Sequence, residues 1–417
     1  MRRGGPTSKT FHELVSFWKR QRRNWRIVVV RAIFSRFFIR LTMDYNNIYI
    51  RGLGASPFEL GSINSITHIA NTVVSAPLGW LHDRYSLRKI FLISLGLFTI
   101  SPLFYALAWD WAWIGPAMLL AAFTWPCIVI CDVCLRSGDR AMGKALCEVV
   151  GSAPSLIAPT VAAVLITAFG GLSVDGIRPL YWIQFAGQCA LFIYALSQMT
   201  EIHRPPRETR KRGVIGDFRE VFERGTALKR WIVFETVGMF ITSMTTPFRA
   251  PFVNEVKGAD QFIIGGMASA SLLIQVVFAT PLARFADRRG RKRVFYALIP
   301  LYWASELLLV FAPTAETLIA SGALLGFHMI TNIAVQAALR AELVPIDCIG
   351  RWRGILRLFG GLASILASLV GGVIWEALGP AYVFLIPVGI DVFVRAPLLL
   401  SIPETLITNG DKADLAS

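Results

Sequence analysis

Charge is scarce in this chain. Only 17% of its 417 residues are Asp, Glu, Lys or Arg, where a soluble domain carries about 25%. The composition therefore argues against a globular protein in water. Cysteine is scarce as well. The six (Cys127, Cys131, Cys134, Cys147, Cys189 and Cys348) fall in apolar stretches or beside basic loops, which argues against a disulfide framework. Cys127, Cys131 and Cys134 have no His or Met cluster near them, so no metal site is expected. A glycine-rich phosphate loop and a nucleophile constellation are both missing, so neither a cofactor nor an enzyme is expected. The first 26 residues are too charged to hold the apolar core of a cleavable signal peptide.

What the chain has is apolar residues, 54% of the total, gathered in blocks of roughly 20, the length that crosses a bilayer core as a helix. Twelve blocks are predicted, at 27–50, 58–80, 90–109, 112–134, 142–169, 179–198, 231–252, 262–283, 294–312, 315–339, 354–378 and 381–402. Barrel strands would be about 10 residues long and alternating, so the blocks read as membrane helices. The net charge of +15 is a topology signal rather than a nucleic-acid footprint. If the helices alternate in direction, one side collects Arg2, Arg3, Lys9, Lys19, Arg20, Arg22, Arg23 and Arg26, and the central Arg204, Arg207, Arg210, Lys211 and Arg212. The other side keeps only Arg51, Arg178 and Lys257. The positive-inside rule then puts both termini in the cytoplasm.

The chain repeats itself. "GWLHDRYSLRK" at 79–89 returns as "ARFADRRGRKR" at 283–293, and Phe58-Glu-Leu-Gly61 returns as Phe262-Ile-Ile-Gly265. "DRAMG" at 139–143 is echoed by "GRWRG" at 350–354 with a few residues of drift. Duplicated six-helix units are a known construction of secondary transporters, with the substrate site between the halves. The repeated phrase resembles the signature between helices 2 and 3 of the major facilitator superfamily. The resemblance covers essentially the whole chain. Ser86 and Leu87 depart from it, standing where Gly and a basic residue are usual.

The resemblance implies an all-α membrane fold of two pseudo-symmetric six-helix bundles. The segments are a basic tail (1–26), a first bundle (27–198), a linker (199–230), a second bundle (231–402) and a tail (403–417). Within the linker, 214–225 has the spacing of an amphipathic surface helix. In the family the signature residues latch the outward-open state. That role carries over to Gly79, Asp83, Arg84 and Arg88 with Asp132, and to Asp287, Arg288, Gly290 and Arg291 with Glu342. "APTVAA" (158–163) resembles a degenerate antiporter stretch. The Arg expected near the start of helix 4 in many proton-coupled drug exporters is missing.

Polar residues recur at helical spacing inside the blocks. Arg36, Arg40 and Asp44 share one face of block 1, which Asn47 extends. Two arginines near the midplane cost on the order of 5–7 kcal/mol before pairing, so they mark a wet path or a buried ion network with Glu148 of block 5. Block 2 carries Asn64, His68 and Asn71; block 4 Thr124 and the cysteines; block 7 Glu235, Thr242, Thr246 and Arg249; block 10 His328, Asn332 and Gln336. Each stripe is also explained by hydrogen bonding between helices.

The expected protein is a multi-pass plasma-membrane transporter of a small solute, working by alternating access with proton coupling, and a monomer. Arg36 and Arg40 favour a small organic anion, bound with Asn71, Thr242, Thr246, Asn332 and Gln336. Asp44, Glu148, Glu235 and His328 are the proton-coupling candidates. A proton-driven exporter of drugs or sugars is the alternative, and a non-transporting receptor on the same fold a third. Tags after residue 210 and at the C-terminus should be cytoplasmic and tags near Gly54 or Lys257 external. Protease cutting at 204–212 from outside sealed cells would refute this topology.

Overall fold

A computed structural model describes residues 16–84, 86–124, 140–201, 226–332, 336 and 349–402, and the regular structure among them is helical. The first half comprises α1 (Arg23–Met43), α2 (Asn46–Gly52), α3 (Pro57–Arg84), α4 (Leu87–Leu107), α5 (Ile114–Ala121), α6 (Arg140–Ala168) and α7 (Val174–Gln198). The second comprises α8 (Thr226–Pro251), α9 (Gln261–Arg289), α10 (Arg291–Phe311), α11 (Ala315–Ile330), α12 (Ile349–Ala377), α13 (Tyr382–Ile390) and α14 (Ala396–Leu400). A π turn, Phe252–Val256, follows α8, and another, Asp391–Arg395, joins α13 to α14. The linker helix expected at 214–225, Asp132 and Glu342 lie outside the described residues.

Among the described residues, six helices are long and apolar enough by composition to span a bilayer: Leu87–Leu107, Val174–Gln198, Gln261–Ala286, Arg291–Phe311, Gly354–Ala377 and Tyr382–Leu400. Others fall short for a visible reason. Helix α1 carries Arg26, Arg31, Arg36 and Arg40, and α8 carries Lys229, Arg230, Glu235 and Arg249. Block 1 is not one helix. It breaks at Asp44–Tyr45, where the Tyr45 N–H turns back to the Thr42 carbonyl at 3.0 Å. Tyr45, in the break, is fully buried and donates its hydroxyl to the Gln261 carbonyl of the other half at 2.9 Å.

The duplication is visible in the bonds. Helices α4 and α10 are both 21 residues long, and α6 and α12 both 29. Inside each half a serine ties the third span to the fourth: Ser101 donates to the Ala117 carbonyl at 3.0 Å, and Ser305 to that of Ser321 at 2.8 Å. Between the halves α3 packs on α12 and α6 on α9, again with paired contacts. Ser65 donates to the Ile365 carbonyl at 3.0 Å, and its equivalent Ser269 to that of Leu156 at 3.5 Å. Gly61 lies against the Ser368 carbonyl. A Cβ on its equivalent Gly265 would stand 2.9 Å from the Pro159 carbonyl. Small residues here let the backbones touch.

These contacts concentrate at the end bearing the α2–α3 turn and the Phe252–Val256 turn, the distal end. There Tyr45, Tyr49, Leu60, Phe248, Phe252 and Phe384 belong to one buried cluster drawn from both halves. Toward the end bearing the termini, two clusters stay separate. Trp231, Phe234, Phe295 and Trp352 form one in the second half, and Trp25, Phe91 and Leu95 one in the first. The halves are thus joined at the distal end.

The repeated charged phrase is not built identically. In the second copy α9 ends at Gly290, whose φ of 100° suits glycine. In the first copy Ser86, at φ −54°, caps α4 by accepting from the Lys89 N–H at 3.4 Å. Asp83-Arg84 and Asp287-Arg288 fall in the last turns of α3 and α9. The side chains of Asp83, Arg84 and Asp287 lie outside the description. Arg88 donates to the Leu196 carbonyl of its own half at 3.5 Å.

Arg51 and Glu255 pair through two bonds, at 2.7 and 2.9 Å, and stand 204 residues apart. The same offset relates Gly79 to Ala283, so each is the repeat equivalent of the other. Equivalent residues meet only on the pseudo-twofold axis. An exposed pair of this kind contributes roughly 0.2–1 kcal/mol. Arg51→Glu sets two carboxylates on the axis and should raise distal-side labelling of a cysteine at Ser269 several-fold. Exchanging the two residues should restore the wild-type rate. Equal labelling in all three proteins would assign the seal to apolar packing alone.

Candidate functional site

Between the halves, on the terminal side of the seal, lies a cavity of about 530 Å³. Three helical faces build most of it. Helix α8 presents Glu235, Gly238, Met239, Thr242 and Ser243; α12 presents Arg357, Gly360, Gly361 and Ser364; α3 presents His68, Asn71 and Thr72. Steps of three and four residues keep each set on one side of its helix. Asn332 and Gln336, just beyond α11, complete the wall with Ala122 and Arg395. Of the residues expected at the substrate site, Asn71, Thr242, Asn332 and Gln336 are brought together here, as is Glu235.

The lining is chosen for hydrogen bonding. The Thr72 hydroxyl donates to the His68 carbonyl at 2.8 Å and that of Thr242 to the Gly238 carbonyl at 3.0 Å. A hydroxyl that donates in this way can still accept through its oxygen lone pairs. Gln336 donates to Asn332 at 2.8 Å, and the Asn332 amide nitrogen meets His328 Nε2 at 3.0 Å. His328 is buried behind the wall, its ring stacked on Tyr302 with centroids 4.3 Å apart.

Two arginines and one carboxylate, Glu235, bring charge to the cavity. Arg357 is exposed within it. Arg395 is only 3% exposed. Its guanidinium lies 4.7 Å from the Phe234 ring centroid, and Nη1 binds Asp391 at 3.2 Å. It packs where Gly238 leaves room, since a Cβ there would sit 2.8 Å from Nη2. Neither arginine, nor Asp391, emerges from the helical stripes read in the sequence. Asp391 and Arg395 were detectable as charges inside block 12, by the rule that singled out Arg36 and Arg40. Arg357 reads from sequence as one more basic residue near a helix end.

The other expected residues stand elsewhere. Arg40 pairs with Asp44 at 3.2 Å. Arg36 packs where Gly151 of α6 has no side chain. Asn64 donates to Asn47 at 3.1 Å. None of these lines the cavity, and neither does Thr246, whose hydroxyl donates to the Thr242 carbonyl at 2.7 Å. The Glu148 side chain lies outside the description. Among the described residues no cluster of three or more His, Cys, Asp or Glu could hold a metal ion.

Two bundles joined at one end around a cavity lined by both halves are an architecture that the comparisons match. The pattern of the Major Facilitator Superfamily matches residues 28–258 and 233–414, and the chain belongs to that family. It is similar to a niacin transporter of Acinetobacter baylyi, 29% identical over 121 residues, which are 29% of this chain and 27% of that one. An uncharacterised transporter of the same type from Mycobacterium tuberculosis is 26% identical over 151 residues, 36% of this chain and 21% of that one. The matches thus span about a quarter of these relatives' lengths. The crystal structure of the nucleoside transporter NupG superposes with a TM-score of 0.74 at 17% identity, covering 91% of this chain and 99% of that one. The chain is therefore a multi-pass membrane protein with the twelve-helix fold of its family.

The packing of Arg395 on Gly238 is testable by volume. Gly238→Ala should destabilise the protein by about 1–3 kcal/mol through overpacking, seen as a lowered midpoint of thermal unfolding in detergent. Gly354, on α12, has nothing within 4 Å of an added Cβ. Gly354→Ala should cause no loss. Equal effects at the two positions would mean that Arg395 does not depend on the gap.

Proposed function

We propose that this chain is a secondary active transporter of a small organic anion, working by alternating access and coupled to protons. The segments 1–26, 199–230 and 403–417 face the cytoplasm, and the distal end faces outward. With the distal end sealed, the described state is then the inward-facing one. The observation that carries the reading is the cavity of about 530 Å³ between the halves, with Arg357 in it and Arg395 at its wall. A cavity of this size suits a small solute. Planar guanidinium groups suit a carboxylate, while the amides of Asn71, Asn332 and Gln336 suit neutral polar parts of the same molecule. The relative that transports niacin supports a small solute.

Arg357 is the anion contact in this state, because it stands in the cavity, whose lining includes neither Arg36 nor Arg40. Niacin and a set of small monocarboxylates, tested by counterflow into proteoliposomes, decide the substrate class. Arg357→Gln should weaken binding about tenfold or more, the worth of one charge-assisted hydrogen bond, while Arg40→Gln leaves it within a factor of two or so. The reverse pattern would move the anion to the Arg36–Arg40 face. Counterflow of neutral solutes alone would overturn the anion.

A further inference from the structure

Two ion pairs lie in the second half behind the cavity. Arg249 of α8 donates to Glu306 of α10, whose side chain is 0% exposed. Asp391 and Arg395 of the π turn pair at 3.2 Å, both buried. Between the pairs stands Tyr302, with all four charges in electrostatic reach of its hydroxyl and its ring on His328 of α11. Phe384 of α13 adds a ring 5.9 Å from the Arg249 guanidinium.

The two carboxylates differ in how they are satisfied. Asp391 is bound on both oxygens, by Arg395 on Oδ1 and by Trp303 on Oδ2 at 2.7 Å. Glu306 is bound on Oε1 alone. Its Oε2, Nη1 of Arg249 and the Tyr302 hydroxyl are buried and have no hydrogen-bond partner among the described residues. A buried carboxylate oxygen without a donor is costly, and a proton on it removes the cost of that charge. The cavity wall is close to Tyr302: its ring stacks on His328, which meets Asn332 at 3.0 Å, and Asn332 accepts from Gln336 at 2.8 Å. Both amides line the cavity.

We infer that Glu306 is a proton-binding site linked to anion binding in the cavity, an inference that rests on the proton-coupled anion reading above. The charge count gives the linkage its sign. The Asn332 amide nitrogen only donates, so His328 Nε2 accepts and the ring is neutral. The unprotonated cluster is then balanced, Arg249 against Glu306 and Arg395 against Asp391. A proton arriving from cavity water forms an O–H bond on Oε2 and leaves one net positive charge beside the site. An anion binds that state better, and by reciprocity a bound anion holds the proton.

Infrared difference spectra of the purified full chain between acid and neutral pH test the site without ligand. A buried carboxylic-acid C=O band should disappear on raising the pH, be absent throughout in Glu306→Gln and persist in Asp44→Asn. Tyr302→Phe, which keeps the ring, should shift the titration of that band. A band that survives in Glu306→Gln overturns the site. Niacin and the monocarboxylates then test the link. Wild type should bind about tenfold more tightly at acid pH, within the usual range of coupling between two sites. Glu306→Gln should bind as tightly as acid wild type at both pH values. Unaltered pH dependence in Glu306→Gln overturns the link. A Glu306 band in a protein that binds no anion supports the proton site and refutes the anion reading.

Discussion

The structure depends on backbone meeting backbone at its distal end. In a bilayer, helices gain nothing from hiding apolar surface from lipid, so two bundles stay together only through close packing and hydrogen bonds. Gly61 on Ser368 and Gly265 on Pro159 bring α3 to α12 and α6 to α9 at that end. Ser65 and Ser269 add a hydroxyl bond beside each crossing. The apolar cores of the two halves merge where these contacts lie and separate toward the termini. A cavity lined by helices of both halves, on the terminal side of the contact, is the geometric consequence.

The frame is symmetric while the charges on it are not. Duplication reproduces helix lengths, the serine ties and the glycine crossings. It cannot reproduce a charge on the axis, because two identical charges there would repel. Arg51 therefore meets Glu255. Away from the axis the halves also diverge. The first half satisfies several buried polar groups with neutral partners, Ser35 with Gln188 and Thr42 with Gln184. The second half buries Glu306, Asp391 and Arg395. Most of the polar lining of the cavity belongs to the second half as well, so the first half closes the cavity while the second supplies its chemistry.

The membrane fold, the two halves and much of the cavity wall were determined by the sequence itself. Apolar block length follows from bilayer thickness. The stripes Glu235–Thr242 and His328–Asn332–Gln336 are faces of single helices, whose geometry is local. The phrases at 79–89 and 283–293 announce the duplication. What the sequence could not rank was one intramembrane charge against another. Arg36 and Arg395 look alike as cations in apolar blocks, yet one packs over Gly151 and the other stands at the cavity wall beside Gly238. That choice depends on which face of α1 or of the π turn meets its neighbours, and on an interruption at Asp44–Tyr45 that no helix breaker marks. The seal was hidden for the same reason. Arg51 and Glu255 lie 204 residues apart, and only the closing of two bundles about a common axis makes them neighbours.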